Sequence, residues 1–133
     1  MESVIKLISG SVATIFVYLL GGLDIALQSL LVVIVLDYIT GVSKGYVTKK
    51  LNSNKGFKGI VKKLGMLCMV ALSVIVDRIM GDSGLIRTMV IYCLVANEGL
   101  SMLENLAEMD ILVPEILKER LEQLRNKRGK TNE

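Results

Sequence analysis

The sequence predicts an all-α integral membrane protein with four membrane-spanning helices, and three observations predict it. Hydrophobic residues make up 52% of the 133 residues, and the mean hydropathy is +0.55. These residues are gathered into blocks close to the roughly 17–25 residues that span a bilayer. Short glycine-containing turns alternate with one long basic stretch between the blocks, as in a chain that crosses a membrane repeatedly.

The predicted spans cover residues 4–20, 25–42, 60–80 and 85–106. Eighteen helical residues extend about 27 Å, enough to cross the hydrocarbon core. Gly-Gly-Leu-Asp follows the first span; its glycines can end one helix and its aspartate can cap the next. Gly-Asp-Ser-Gly has the same composition between the last two spans, so we expect two hairpins. The first segment is the least hydrophobic of the early ones, and a surface location for it, with three spans, stays open.

The chain is expected to divide into a transmembrane domain, residues 1–113, and a charged tail, residues 114–133. The tail contains six Lys or Arg and four Glu. Leu117, Leu121 and Leu124 recur at helical spacing and predict a short amphipathic helix. This helix could lie on anionic lipid, pair with a neighbouring tail or be solvated, and the sequence leaves these alternatives open.

The basic stretch between the second and third spans predicts the orientation of the chain. Loops rich in Lys and Arg stay in the cytoplasm, whereas the glycine turns contain no basic residue. Both termini and the tail are therefore expected to be cytoplasmic. Since apolar segments flank the stretch directly, we expect membrane lipids and not nucleic acid as its partner. Its lysines are Lys44, Lys49, Lys50, Lys55, Lys58, Lys62 and Lys63.

The residue inventory argues against an enzyme. The chain has no histidine, the commonest general base and metal ligand. Cys68 and Cys93 lie inside apolar runs, where cysteine acts as a small hydrophobe. Gly129-Lys130-Thr131 matches the end of a P-loop, but Leu124 stands where that motif requires its first glycine. We therefore predict no catalysis, no metal and no cofactor.

Polar residues inside the fourth span are the main candidates for a functional surface. An ionisable group at the centre of a membrane helix costs about 2.5–3.5 kcal/mol, so such groups usually face a bundle interior or water. Glu108 fits the cytoplasmic interface, while for Glu98 interhelical hydrogen bonding and pore lining stay equally open. The candidates for a pore-lining or interhelical polar face are Asn97, Glu98, Ser101, Glu104 and Asn105.

Asp37 lies near the cytoplasmic end of the second span and is predicted to fix the register of a packed hairpin. Lys62 or Lys63 enters the third span at a similar level and can neutralise it. Gly41 and Gly45 form a small-xxx-small pair that permits close helix contact.

A second cluster of charges flanks the turn between the third and fourth spans. Asp77, Arg78 and Arg87 can pair across the hairpin, and arginine can extend its head group toward the interface. A structural clasp at the outer ends of the helices is favoured over a role in gating.

Three spaced blocks of sequence resemble a known family. LDYITGV with LNSNKGFKGIVKK, then NEGLSMLENLAEM, then VPEILKERLEQL are similar to the toxin secretion/phage lysis holin family of Gram-positive bacteriophages and clostridial toxin loci. The resemblance covers about residues 30–125. It implies a homo-oligomer in the cytoplasmic membrane of the bacterial host, where lesions dissipate the proton-motive force and release an endolysin or a large toxin.

Two other functions remain open at the level of sequence. An antiholin would share the architecture and delay lysis as a partner of the holin. A small proton-coupled transporter would use a buried glutamate such as Glu98 to bind cations.

Overall fold

The computed structural model describes residues 1–81 and 83–126, and this part of the chain is helical apart from short connections. Its helices are α1 (Glu2–Leu19), α2 (Ile25–Val47), α3 (Ser53–Met80), α4 (Leu85–Ala107) and α5 (Glu115–Asn126). The first four are long and apolar enough to cross a membrane, which confirms the all-α membrane fold with four candidate spans. Asp82 and residues 127–133 of the predicted tail lie outside the described residues.

Two helices continue well beyond the predicted spans into the lysine-rich stretch. α2 extends to Val47 and α3 begins at Ser53, so most of the predicted basic loop is helical. Lysine is a good helix former, and the Asn52 side chain caps α3 by accepting from the amides of Asn54 and Lys55. Only the short connection containing Lys49 and Lys50 is non-helical, and the chain reverses at Lys49 with a φ of +55°.

The core lies around α4, which packs against α2, α3 and α5. Leu27 and Leu30 of α2, Val70 of α3 and Ile91 of α4 are fully buried. Most other large apolar side chains of α2 and α3 are exposed or half-buried, as expected for helices that face lipid. A three-helix bundle thus forms the centre of the molecule.

Helix α1 buries none of its residues against the rest of the described chain. The predicted first hairpin is therefore joined through its turn and not packed along its length. One reason is that α4 occupies the buried face of α2. A second is that the hydroxyls of Ser9, Ser11 and Thr14 donate to carbonyls within α1 itself, which uses the one hydrogen that each could donate to another helix.

The turn between α1 and α2 has the glycine geometry predicted for it. Gly21 and Gly22 have φ values of +80° and +101°, a conformation that glycine adopts without steric cost. Their amides donate to the carbonyls of Tyr18 and Val17, and Asp24 accepts from the amide of Leu27 at 3.0 Å. The turn thus caps both helices that it joins.

Gly21 and Gly22 differ in their surroundings although both have positive φ. A Cβ on Gly21 would lie 2.7 Å from Arg87 Nε and 2.9 Å from Val74 Cγ2, whereas one on Gly22 would meet nothing within 4 Å. The lack of a side chain at Gly21 therefore makes room for Arg87.

We predict that Gly21→Ala destabilises the protein more than Gly22→Ala. Both substitutions incur the left-handed backbone cost of about 1–2 kcal/mol, but only Gly21→Ala also displaces Arg87. The measurement is unfolding by sodium dodecyl sulfate in mixed micelles, followed by circular dichroism. Equal losses in the two variants would contradict the close approach of Arg87.

Candidate functional site

A buried charge network joins the three central helices, with one charged residue from each. The Lys63 ammonium of α3 lies 2.7 Å from Asp37 Oδ2 of α2 and also donates to Glu98 Oε2 of α4. The side chains of Lys63 and Asp37 are each 13% exposed, and that of Glu98 is 7% exposed. Two carboxylates therefore share one ammonium inside the bundle.

Asn105 of α4 completes this charge network. Its Nδ2 donates to Asp37 Oδ1 at 3.1 Å and lies 3.2 Å from Thr40 Oγ1. Gly41 lies beside this contact, and a Cβ there would lie 3.6 Å from the Asn105 amide nitrogen, an ordinary van der Waals distance. In residues 1–81 and 83–126, each fully buried polar side-chain atom has a hydrogen-bond partner.

The depth of the charge network makes its pairing essential. Asp37 follows Asp24 by 13 residues and Glu98 follows Arg87 by 11, about 20 and 17 Å along their helices. With the turn end at the membrane surface, both carboxylates would lie inside a hydrocarbon core about 30 Å thick. Removing one partner of a buried ion pair is strongly destabilising, because an uncompensated charge remains. We therefore propose that the network fixes the relative level of α2, α3 and α4.

A second group of charges lies at the turn end of the bundle, defined here by the connections 20–24 and 81–84. Asp77 is only 2% exposed, and its carboxylate accepts from the amides of Ile86 and Arg87 at 3.1 and 2.8 Å. The first turn of an α-helix leaves its amides without intrahelical partners. Asp77 of α3 thus caps α4 through the backbone.

The side chain of Arg87 turns away from Asp77 and binds the other connection. Its Nη1 and Nη2 atoms lie 2.7 and 3.1 Å from the two carboxylate oxygens of Asp24, a bidentate pairing. It also donates to the carbonyls of Leu20 and Gly22, at 2.7 and 3.0 Å. This pairing lowers the pKa of the Asp24 carboxyl below its ordinary range, chiefly through the hydrogen bonds from Arg87.

The three predicted clasp residues therefore lie at the turn end but have different partners from those expected. The side chains of Asp77 and Arg87 do not pair with each other, because backbone amides occupy the Asp77 carboxylate. Arg78 contacts Tyr18 of α1, with its guanidinium carbon 4.5 Å from the ring centroid. Asp24, predicted only as a helix cap, is the acidic partner that the sequence did not reveal.

The predicted polar face of α4 separates into two parts. Glu98 and Asn105 are buried and point into the charge network. The remaining residues form an exposed or half-exposed line, called the polar stripe: Asn97, Ser101, Glu104 and Glu108. Consecutive helix residues differ by about 100° in direction, so Asn97 and Glu98 face different surroundings. In the polar stripe Glu108 pairs with Lys44 at 3.4 Å, an exposed contact that stabilises little.

The other predicted packing and basic residues have less specific surroundings. Gly45 faces the connection after α2, where a Cβ would lie 3.2 Å from Leu51 Cδ1, so Gly41 and Gly45 do not contact one common helix. Lys63 alone among the seven lysines enters the charge network. The exposed ones are Lys49, Lys50, Lys55, Lys58 and Lys62.

Helix α5 packs on α4 of its own chain, a contact that the sequence did not reveal. Leu121 seats against Gly99, where a Cβ would lie 3.0 Å from Leu121 Cδ1. Leu121 and Leu124 are half-buried, whereas Leu117 is exposed. The amphipathic spacing predicted α5, but the notch at Gly99 determines where it docks.

Comparison with known proteins identifies the family. A sequence profile of the bacteriophage holin family matches residues 14–126, most of the chain. The chain belongs to the bacteriophage holin family.

Relatives of this holin-family chain occur in clostridia, bacilli and a phage. It is 44% identical to an uncharacterized 14.9 kDa protein of Clostridium perfringens, over 96% of this chain and 100% of that protein. It is 36% identical to YqxH of Bacillus subtilis, over 84% and 79% of the two chains. It is 35% identical to the probable holin of Bacillus phage phi105, over 71% and 70%. No solved structure matches the chain.

Family membership and the four apolar helices together make the chain a protein of the bacterial cytoplasmic membrane. Within the described residues, no three His, Cys, Asp or Glu side chains are arranged to hold a metal ion.

We predict that Lys63→Met costs the bundle about 3–5 kcal/mol, because Asp37 and Glu98 then face each other without a cation. Lys62→Met, one position earlier on an exposed face, serves as the matched control and should change stability by less than about 0.5 kcal/mol. Free energies of unfolding in mixed micelles test both variants. A loss for Lys63→Met no larger than that for Lys62→Met would refute the network.

We predict a pH-dependent contribution from Asp24. Since its pKa is lower in the folded protein, the contribution is complete above about pH 4, the unfolded value, and is lost as the pH falls through the folded value. Asp24→Asn should cost about 1 kcal/mol at pH 7, since the Asp24 side chain is 52% exposed and its pairing is screened. The gap between wild type and variant should close in acid; a gap independent of pH would contradict the pairing.

Proposed function

We propose that the chain acts as a holin, which assembles in the cytoplasmic membrane and opens a lesion that dissipates the proton-motive force. The lesion would release an endolysin to the peptidoglycan, or a large toxin where the gene lies in a toxin locus. Membership of the holin family and the likeness to the probable holin of phage phi105 support this function. The structural feature that carries the proposal is the polar stripe on a helix of membrane-spanning length.

The proposal includes an orientation and a division of the chain. The loop end of the bundle, with the connection 48–52 and most of the lysines, would face the cytoplasm. The turn end, with the Asp24–Arg87 pair, would face outward. Residues 1–113 would form the membrane domain and residues 114–133 a tail on the cytoplasmic side, with α5 packed back along α4 as far as Gly99.

The loop-end half of α4 is better suited to a water-filled path than to lipid. The polar stripe occupies one side of this half, and α5 with its charged outer surface flanks another. Lipid would leave Asn97 and Glu104 without partners at a cost of several kcal/mol. Three packed helices cannot surround a path for a folded enzyme, so many copies must contribute polar stripes to one lesion.

Glu98 has a different place in this proposal from the one that its sequence position suggested. It is bonded to Lys63 inside the bundle, so it would not line the lesion. Together with Asp37 it would hold α4 at a constant level while copies rearrange around the polar stripe.

The direct test is inducible expression in a bacterium, with and without a cytoplasmic endolysin, while membrane potential and turbidity are recorded together. A holin gives abrupt depolarisation after a delay, with lysis only when the endolysin is present. An unchanged potential, despite confirmed membrane insertion, would refute the proposal. Delayed lysis on co-expression with a known holin would then indicate an antiholin, and steady proton flux without death a transporter.

We predict that Asn97→Leu combined with Glu104→Leu delays or abolishes depolarisation, because an apolar stripe cannot stabilise water in the lesion. Glu119→Leu removes an exposed carboxylate from α5 and should leave the timing unchanged. Immunoblots of the membrane fraction establish equal amounts of each variant. Wild-type timing in the double variant would remove the polar stripe as the lining.

A further inference from the structure

We propose that α1 of one copy covers the polar stripe of the next copy before the lesion opens. Within residues 1–81 and 83–126, α1 buries no residue, and the polar stripe is exposed or half-exposed, with only its last member, Glu108, in an ion pair of the same chain. Both surfaces carry groups that lipid does not satisfy. The inference rests on the proposed function only in requiring assembly in a membrane.

The first support is charge complementarity. Within residues 1–81 and 83–126, neither Lys6 nor Glu104 takes part in an ion pair. Lys6 belongs to a helix that buries no residue, and Glu104 is exposed on α4. An unpaired charge is costly at membrane depth, so an ammonium on α1 and a carboxylate on α4 are natural partners.

The second support is a match in level. Arg87 Nε holds the Leu20 carbonyl at 2.7 Å, which places the end of α1 level with the start of α4. Lys6 precedes Leu20 by 14 residues, and Ser101 follows Arg87 by 14. Both lie about 21 Å from that common level. The Lys6 side chain can extend one further turn toward the loop end, where Glu104 lies.

The same register brings a small residue opposite the polar stripe. Gly10 lies 10 residues before Leu20, and Asn97 lies 10 residues after Arg87, about 15 Å from the common level in each case. A Cβ on Gly10 would meet nothing within 4 Å, so this surface of α1 is open. Glycine lets antiparallel membrane helices approach closely and leaves room for the Asn97 side chain.

The occupant is a second copy of this chain and not the same copy. Copies inserted in one orientation lie at the same depth in the membrane. Residues of α1 and α4 that are level within one copy are therefore also level between neighbouring copies. In its own chain α1 is attached through the turn and leaves the polar stripe uncovered. Contact of α1 with the α4 of the next copy is heterologous and repeats from copy to copy, giving a ring or a growing row. Separation of α1 from the polar stripe would then expose the lining proposed above.

Cysteine crosslinking tests the inference in membranes taken before depolarisation. One tagged chain carries Gly10→Cys and a differently tagged chain carries Asn97→Cys, both with Cys68→Ser and Cys93→Ser. The control partner keeps native Cys68, which is exposed on α3. Cys68 precedes Asp77 by nine residues and therefore lies about 14 Å from the turn end. Oxidation should join the Gly10→Cys chain to the Asn97→Cys chain and not to the Cys68 chain.

Charge reversal provides the second measurement. Lys6→Glu or Glu104→Lys alone should reduce the crosslinked heterodimer about tenfold, the effect of one close charge pair, and the two together should restore it. Equal crosslinking to Cys68, dimers joined through Gly10→Cys alone, or an intrachain disulfide in a chain with both new cysteines would overturn the inference. Depolarisation without the expected crosslink refutes this interface and leaves the holin proposal standing, whereas the crosslink without depolarisation does the reverse.

Discussion

The Lys63 ammonium lies between two carboxylates at a depth where lipid offers no hydrogen bonds, and the arrangement of the central helices depends on it. Each of the three charges would destabilise the membrane-embedded chain if it were left alone. Sliding one helix by a turn, about 5.4 Å, or rotating it by about 100°, the angle between consecutive residues, would separate them. Apolar packing between α2, α3 and α4 is less selective, because lipid tails are as apolar as the leucines that line the contact. The charge network therefore supplies a specificity that van der Waals contact does not.

The turn end has a different kind of pairing from the interior of the bundle. There the Asp77 carboxylate accepts from the amides at the start of α4. Arg87 binds the connection before α2 by donating to the Asp24 carboxylate and to two backbone carbonyls. Three helices are thus tied at two levels, whereas α1 is tied only at its last residues. Among the described residues, α1 and the polar stripe from Asn97 to Glu104 take part in neither set of charges, and these are the surfaces through which we propose that copies assemble.

Sequence reasoning predicted features that depend on local composition. Apolar blocks and glycine turns predicted the four long helices, and matched levels predicted that Lys62 or Lys63 would meet Asp37. The hydrogen-bond partners of the charged residues were harder to predict. An aspartate can accept from an arginine side chain or from free backbone amides, and Asp77 accepts from the amides. The sequence pattern placed Asn97 and Glu98 together on one polar face of α4. Glu98 is buried and Asn97 exposed because of where α2 and α3 pack, which the pattern does not contain. The docking of Leu121 on Gly99 depends on tertiary approach, which no local pattern encodes.

The central claim is that Lys63 stabilises the bundle only because it compensates Asp37 and Glu98. The most direct measurement compares the unfolding free energy of Lys63→Met with that of a variant carrying Lys63→Met, Asp37→Asn and Glu98→Gln. Removing all three charges leaves hydrogen-bonding side chains without a buried charge, so the triple variant should recover most of the stability lost in the single one. A triple variant as unstable as Lys63→Met would mean that packing by the lysine stem, and not charge compensation, holds the helices together.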